Sequence, residues 1–457
     1  MTAIGVHLND AAFAVSGGDR PTSVEPSVIH SDRDKPEVFG SSGRAVVRQT
    51  PRSVSADHWT ALARMGRNVA PGVREIIRAE LRNRLPDSTE IESLQCAVPA
   101  IFGTESLGTV LSLMRLEGLI VDGFHDAAAL TVASLGLEGI TLVLEMGLGH
   151  LSVTRVDSTG EVRRKASTSR YGAGVLALEQ CWLQRIAEAM VLQTRFDPLH
   201  DGLTEQRLYD QLDAACAAAT KSGAAEIELA TSQGVTKVSL SRDQLAEAAS
   251  AVYDQAISAL HELRPAGAYV NILIDSRLLG FPGVLERLST LRDCRVFSHV
   301  SDLAARAAAN ESLSATPDGS VSIQRGYPRR VPIDAPQEID LSNFPATSDI
   351  APTHVLFDGK AIVLPSGLFE IGRNPQNGGL RLSEGLAGVS RLHCSLQAER
   401  SGVTLVPHTS QGTWLNDERV RTRVKVRSGD RLRIGTPGVT LDLIAVGGAD
   451  HGAPSQR

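Results

Sequence analysis

The chain has 457 residues, which predicts about three domain-sized units at roughly 150 residues each. Hydrophobic residues make up 42% and charged residues 21%, the balance of folded protein rather than of a disordered chain. The net charge of −6 gives no overall attraction to DNA or an anionic membrane, and aromatics at 4% are too sparse for a base-stacking platform.

The chain opens on MTAIGVHLNDAAFAV, which has no Lys or Arg before its short apolar stretch and so does not read as a secretory signal. Alternation and apolar runs predict strands over 5–15, 93–98, 140–155, 226–230 and 269–274. Helical spacing predicts helices over 106–116, 174–193, 205–221, 242–263 and 281–291. This alternation predicts an α/β architecture for residues 1–313. Residues 314–351 are rich in Pro, Ser and Asp and lack helical period, so they read as a flexible, protease-sensitive linker. Short alternating runs between Gly turns then predict an all-β sandwich over 352–448, and 449–457 reads as a disordered tail. Residues 352–446 hold 12 Lys/Arg against 8 Asp/Glu, so the negative charge lies in the remainder.

Cys96, Cys181, Cys216, Cys294 and Cys394 are odd in number, scattered and never spaced CxxC. That argues against a disulfide framework and a structural zinc site, and fits a reducing compartment. No run approaches the ~18 apolar residues of a membrane span, so no membrane insertion is expected. The cytoplasm is the expected location.

The order of segments in residues 1–313 carries a resemblance. IGVHLNDAAFAV is similar to the phosphate-binding hairpin of DnaK-type chaperones and actin. The stretches from Pro26 to Pro51 and from Ser93 to Ala133 resemble the next DnaK segments, ending in an Ala-rich connecting helix. GITLVLEMGLGHLSVTRVDSTGEV resembles the second phosphate hairpin, YVNILIDSRLLGFPGVLERLS the adenosine strand and helix, and VSDLAARAAA the second connecting helix. The resemblance implies a two-lobed actin-like ATPase fold.

It also implies that the chemistry has decayed. ATP hydrolysis in this family needs carboxylates that hold Mg²⁺ and small turns that bring backbone N–H groups to phosphates. The family's first turn, Asp-Leu-Gly-Thr-Thr, is here His7, Leu8, Asn9, Asp10 and Ala11, and a carboxylate at Asp10 repels a phosphate. The second, Asp-Leu-Gly-Gly-Gly-Thr, is Glu145, Met146, Gly147, Leu148, Gly149 and His150. The catalytic Lys falls near Leu62 and the water-positioning Glu near Phe124. The Gly-Gly that admits adenosine falls on Ile274 and Asp275, and the adenine clasp near Ala217 and Thr220. The expected domain is therefore degenerate, with no cofactor, no hydrolysis and neither ATP nor Mg²⁺ bound. His7, His125 and His150 fall at these turns. They either converge on an anion or metal or fill the cleft as polar side chains, and no local ligand pair supports a metal.

Residues 352–446 resemble a forkhead-associated (FHA) domain on three signatures. They are FEIGRNP with Gly372 and Arg373, VSRLHCSL with Ser390, Arg391 and His393, and HTSQGTWLND with Ser410, Gln411, Gly412, Thr413 and Asn416. The resemblance implies recognition of phosphothreonine. Arg373 supplies the guanidinium fork, Ser390 a hydroxyl, Arg391 a second cation, and Ser410 and Gln411 contacts to the bound segment. Gln411 stands where the family has Asn, which alters the reach of that contact. Gly372, His393, Gly412, Thr413 and Asn416 brace the loops. Arg419, Arg421, Arg423, Lys425 and Arg427 recur at every second position, and period 2 puts them on one face of an extended segment. They form either a patch for an acidic partner or the solvated edge of a sheet.

The expected function is a phosphothreonine-dependent adaptor or scaffold that binds a Thr-phosphorylated protein. The combination looks bacterial and implies a Ser/Thr kinase in the same cell. The alternative is a divergent DnaK-like ATPase whose nucleotide state is coupled to FHA docking. A chaperone proper is disfavoured, because an FHA domain stands where the peptide-binding sandwich and lid belong. No nucleic acid is expected, and oligomeric state is left open.

Overall fold

Strand β1 (Thr2–His7) is buried from Ile4 onward on both of its faces, as a central strand must be. It folds back through a tight turn into β2 (Phe13–Ser16), which pairs antiparallel with β3 (Ser23–Glu25). On its other side β1 pairs parallel with β4 (Ile91–Val98), and β4 pairs parallel with β5 (Gly123–Asp126). The order is β3-β2-β1-β4-β5.

The next sheet repeats that plan. Strands β6 (Ile140–Met146), β7 (His150–Asp157) and β8 (Val162–Tyr171) form an antiparallel meander. Strands β9 (Val270–Asp275) and β10 (Cys294–His299) extend β6 in parallel, so the order is β8-β7-β6-β9-β10. Two Ala-rich helices, Ala127–Leu135 and Leu303–Ala309, pack together against these sheets. Their small side chains permit close approach: a Cβ on Gly5 of β1 would collide with the backbone of Ala305 and Ala309.

The computed structural model describes residues 2–444 except 19–20, 33–35, 232–233, 266–267, 292, 317–319, 345–350, 359, 377–378, 384, 400–401, 417 and 437. The tail expected at 449–457 lies outside the described residues. These residues form two compact units, of which the first takes in Met1–Arg264 and Tyr269–Phe344. None of the described helices is long and apolar enough to cross a membrane.

The expected linker at 314–351 needs correction between residues 323 and 343, while 317–319 and 345–350 lie outside the described residues. Ile323–Gln324 adds a parallel strand beside β5, Gly326–Tyr327 pairs antiparallel with β8, and Gln337–Ile339 pairs with β10. Tyr327 is fully buried, and its hydroxyl meets the His125 ring at 3.1 Å. These short pieces satisfy the backbone groups of three sheet edges, which a free linker leaves open. Limited digestion with trypsin is therefore expected to leave the Arg325–Gly326 bond intact in the folded chain. Early cleavage there, read by mass spectrometry, would mean that the edge pairing does not hold.

Other differences are local. The helix expected over 242–263 is two helices, Arg242–Ala248 and Ser250–Leu263, and the one over 281–291 shrinks to Val284–Leu288. Pro71–Arg84 is a helix that its many charges hid, with Ile77, Glu80 and Leu81 on the buried side. Beneath it lies the first core, built on Phe13, Trp59, Leu62 and Ile77.

The second unit holds a two-sheet sandwich. One sheet orders β12 (Lys360–Val363), β11 (His354–Phe357), β21 (Val439–Ile444), β20 (Arg431–Ile434), β17 (Thr413–Leu415) and β18 (Glu418–Arg419). The other orders β14 (Gly379–Arg381), β13 (Gly367–Gly372), β15 (Cys394–Glu399), β16 (Gly402–Pro407) and β19 (Val424–Val426). Alternating residues such as Phe369, Ile371, Leu396, Leu405, Leu432 and Leu441 fill the core between them.

Candidate functional site

Register gathers the candidate loops at one end of the sandwich. Ile371 pairs with Cys394, Cys394 with Pro407, and Leu405 with Val424, all antiparallel. The C-terminal ends of β13 and β16 and the N-terminal ends of β15 and β19 therefore lie together. From that end emerge Arg373, the 390–393 loop, the 408–412 loop and the 420–423 segment.

Each loop is held by a specific local constraint. A Cβ on Gly372 would collide with the carbonyl of Arg391, so only glycine lets these two loops touch. Across that contact Arg373 N–H donates to Ser390 O (3.0 Å) and Asn374 N–H to Arg391 O (2.8 Å). His393 is fully buried. Its Nε2 lies 2.8 Å from Gly412 O, and its Nδ1 accepts from Ser390 N–H at 3.2 Å. A carbonyl on one side and an N–H on the other fix the ring as the neutral Nε2–H form. Burial lowers its pKa, and the bond to Gly412 only partly opposes this.

Gly412 has φ +101, and a side chain there would strike the Trp414 ring. Asn416 adopts φ 51, a region that Asn tolerates. Its amide donates to Asp430 Oδ1 (2.7 Å) and accepts from Arg431 N–H (2.8 Å), tying the β17–β18 hairpin to β20. Thr413 is buried, with its hydroxyl unpartnered among the described residues.

The residues expected to contact a bound segment do come together. Arg373 is half-buried, and its Nε is enclosed with no hydrogen-bond partner among the described residues. Ser390 is half-buried, whereas Arg391, Ser410 and Gln411 are exposed. One organising residue escaped the sequence reading. Thr409 Oγ1 lies 2.8 Å from Ser390 Oγ and accepts from Gln411 N–H at 3.2 Å, so it joins two of the loops. The signal was present, because a hydroxyl two residues before an exposed turn amide is the Ser/Thr-turn pattern.

In the first unit the turns after β1 and β6 meet directly. Asp10 is buried, and its carboxylate accepts from Leu148 N–H (2.6 Å) and from the Thr60 hydroxyl (2.9 Å). A Cβ on Gly147 would sit 2.5 Å from Asp10 Oδ1, and one on Gly149 would press on Thr60. Asn9 caps its own turn by accepting from Ala11 N–H at 3.1 Å. Asp275 holds Arg277 Nε at 3.1 Å and accepts from the Ser301 hydroxyl at 2.9 Å. Burial opposes its ionisation, but Arg277 and His299 outweigh this and lower its pKa.

The three histidines take different partners. His125 bonds Gln95 and Tyr327, His150 lies 3.1 Å from the Thr60 hydroxyl, and among the described residues both ring nitrogens of His7 lack a hydrogen-bond partner. Among the described residues no three His, Cys, Asp or Glu side chains form a group that could hold a metal ion. Burial and the charge of His299 lower His7 to about 4, while burial and Asp126 raise Glu145 to about 8. Both shifts remove charge, so the 3.9 Å approach of His7 to Glu145 is a contact between neutral groups rather than an ion pair. Burial likewise lowers His150, and burial with Arg330 lowers His125 to about 4.

Comparison with known proteins bears on the sandwich. The family model described as FHA domain matches residues 369–435, which span the loops gathered at that end of the sandwich. No curated protein matches the chain.

Proposed function

We propose that this protein is a phosphothreonine-dependent adaptor, in which the FHA module takes a Thr-phosphorylated protein and the α/β unit is a non-hydrolysing scaffold of the DnaK/actin-like class. FHA domains bind phosphothreonine-containing proteins. The observation that carries the reading is Arg373: a guanidinium held at the loop end with an enclosed Nε that has no partner. A buried donor left open costs roughly 1–3 kcal/mol, and a phosphate carrying about −1.5 to −2 charges satisfies it. Ser390, placed by Thr409 and by its own N–H to His393, adds a hydroxyl beside it. Recovery of a specific protein from lysate by the purified chain, lost after phosphatase treatment, is the expected result. Equal recovery with and without phosphatase would leave the sandwich as a phosphate-independent docking module.

For the α/β unit, the repeated strand order supports a two-lobed fold of the class its segments resemble. Four features speak against nucleotide. Asp10 already occupies the Leu148 N–H that a phosphate would use. Burial raises the pKa of Glu145 to about 8, so a cation held there through water has to displace a proton first. Leu62 is buried in the core. The Thr220 hydroxyl donates to Gly280 O at 3.1 Å, tying together the helix and turn between which adenine would enter. Mg-ATP is therefore expected to leave the melting temperature unchanged and to be released without turnover. Ligand at 100-fold over Kd would stabilise by ~2.7 kcal/mol, a readily measured shift. A shift of that size, removed by Glu145→Ala, would instead favour the divergent ATPase.

A further inference from the structure

The five cations of residues 419–427 do not lie along one strand. Arg419 ends β18, at the edge of one sheet, and Lys425 lies in β19, at the edge of the other. Residues 420–423 cross between the two sheets. Trp414 pairs with Arg419, and Val420 N–H donates to Thr413 O at 2.8 Å, so the crossing begins beside the start of β17. It ends at Val424, opposite Leu405 near the end of β16. Both limits belong to the end of the sandwich that carries Arg373, Ser390 and Ser410. Arg419 closes the connection, because its guanidinium donates to Ser410 O at 2.8 Å.

Arg421 and Arg423 are exposed, and neither has a hydrogen-bond or ion-pair partner among the described residues. No Asp or Glu occurs between 419 and 427. Cations that guard a sheet edge belong on the edge strand itself. Arg421 and Arg423 lie in neither strand, so edge protection does not explain them. A row of unpaired cations beside a phosphate site favours further negative charge on whatever chain lies in that site.

We propose that the 419–423 crossing is a second arm of the binding face that selects phosphothreonine segments flanked by Asp or Glu, an inference that rests on the phosphothreonine reading above. Arg421 and Arg423 face the flanking carboxylates, and Arg419 anchors the crossing to the 408–412 loop.

The test uses the full chain and three matched phosphothreonine peptides, flanked by Asp/Glu, by Ala/Ser or by Lys, titrated by calorimetry. Wild type should bind the acidic-flanked peptide about three- to tenfold more tightly than the neutral one, as two exposed ion pairs allow. The preference should shrink as salt rises. Arg421→Ser with Arg423→Ser should abolish the preference and leave the neutral-flanked peptide unchanged, whereas Lys at both positions should retain most of it. Equal wild-type affinity for acidic and neutral flanks overturns the inference alone. So does a preference that survives the double Ser variant. Failure to bind any of the phosphopeptides overturns the phosphothreonine reading, and this inference with it.

Discussion

Arg373→Ala is expected to weaken binding of a phosphothreonine peptide about 10- to 150-fold, the effect of losing roughly 1.5–3 kcal/mol of charge-assisted bonding. The change should act on binding and not on folding. The loop contact that places residue 373 is made by its backbone, whose N–H donates to Ser390 O, and Ala preserves it. The Nε has no protein partner to lose. Stability should therefore stay within about 0.5 kcal/mol of wild type. Arg373→Lys should recover only part of the affinity, because an ammonium cannot reproduce a planar fork. Calorimetry with phosphorylated and unphosphorylated peptides, beside a thermal melt, separates the outcomes. An affinity that depends on phosphate but is indifferent to Arg373 would place the phosphate elsewhere on the sandwich.

Glu80→Ala should destabilise the α/β unit by about 3–5 kcal/mol, the scale for removing one partner of a buried ion pair. Glu80 is fully buried, with Oε2 2.8 Å from His58 Nε2 and 2.7 Å from the Trp59 indole nitrogen. Its Oε1 accepts from Arg84 Nε at 2.7 Å. Removal leaves the Arg84 guanidinium and the Trp59 N–H without their acceptor inside the core. Burial alone would raise the pKa of Glu80, but His58, Arg84 and the indole outweigh it and hold the carboxyl at about 2. The ordinary carboxyl of the unfolded chain titrates near 4.3, so on acidification the unfolded state takes up the proton first. The contribution is complete above that value and is lost as pH falls toward 2. Denaturant melts of wild type and Glu80→Gln between pH 7 and 3 should therefore show a gap that is constant above about pH 5 and narrows toward the acid end. A gap that stays constant across that range would show that Glu80 is not the titrating group.

The candidate site was legible wherever one residue type is forced locally. Gly372 must be glycine to clear Arg391, Gly412 to clear Trp414, and His393 must offer both a donor and an acceptor. Such constraints leave fixed letters at fixed spacing. Thr409 left only the mark of a Ser/Thr turn, which shows its bond to the Gln411 N–H but not its bridge to Ser390. The misread linker has a related cause. Its strand pieces are two or three residues long, too short for any period to show, and Tyr327 is buried against His125, some two hundred positions earlier in the chain. The helix Pro71–Arg84 was hidden by Arg74, Glu75, Arg78 and Arg82, whose charges mask a narrow buried stripe. At the turn after β1 the sequence shows a carboxylate at Asp10. It could not reveal that the same carboxylate is bonded to Leu148, because that partner belongs to the other sheet.

That bond joins topologically equivalent places, since the turn after β1 and the turn after β6 are the same hairpin in two copies of one plan. The duplicated scaffold is symmetric, but the chemistry across it is not: one copy contributes the acid and the other the amide. The neighbouring Gly147 has no space for a side chain, since a Cβ there would collide with the His150 ring and sit 2.5 Å from Asp10 Oδ1. Positions 10 and 147 are therefore a matched pair whose substitutions are epistatic. A change at Asp10 alone strands a buried amide, and a side chain at 147 alone crowds both the carboxylate and the His150 ring. Opening this seam requires changes in both turns together, because neither turn can part from the other by a change on its own side alone.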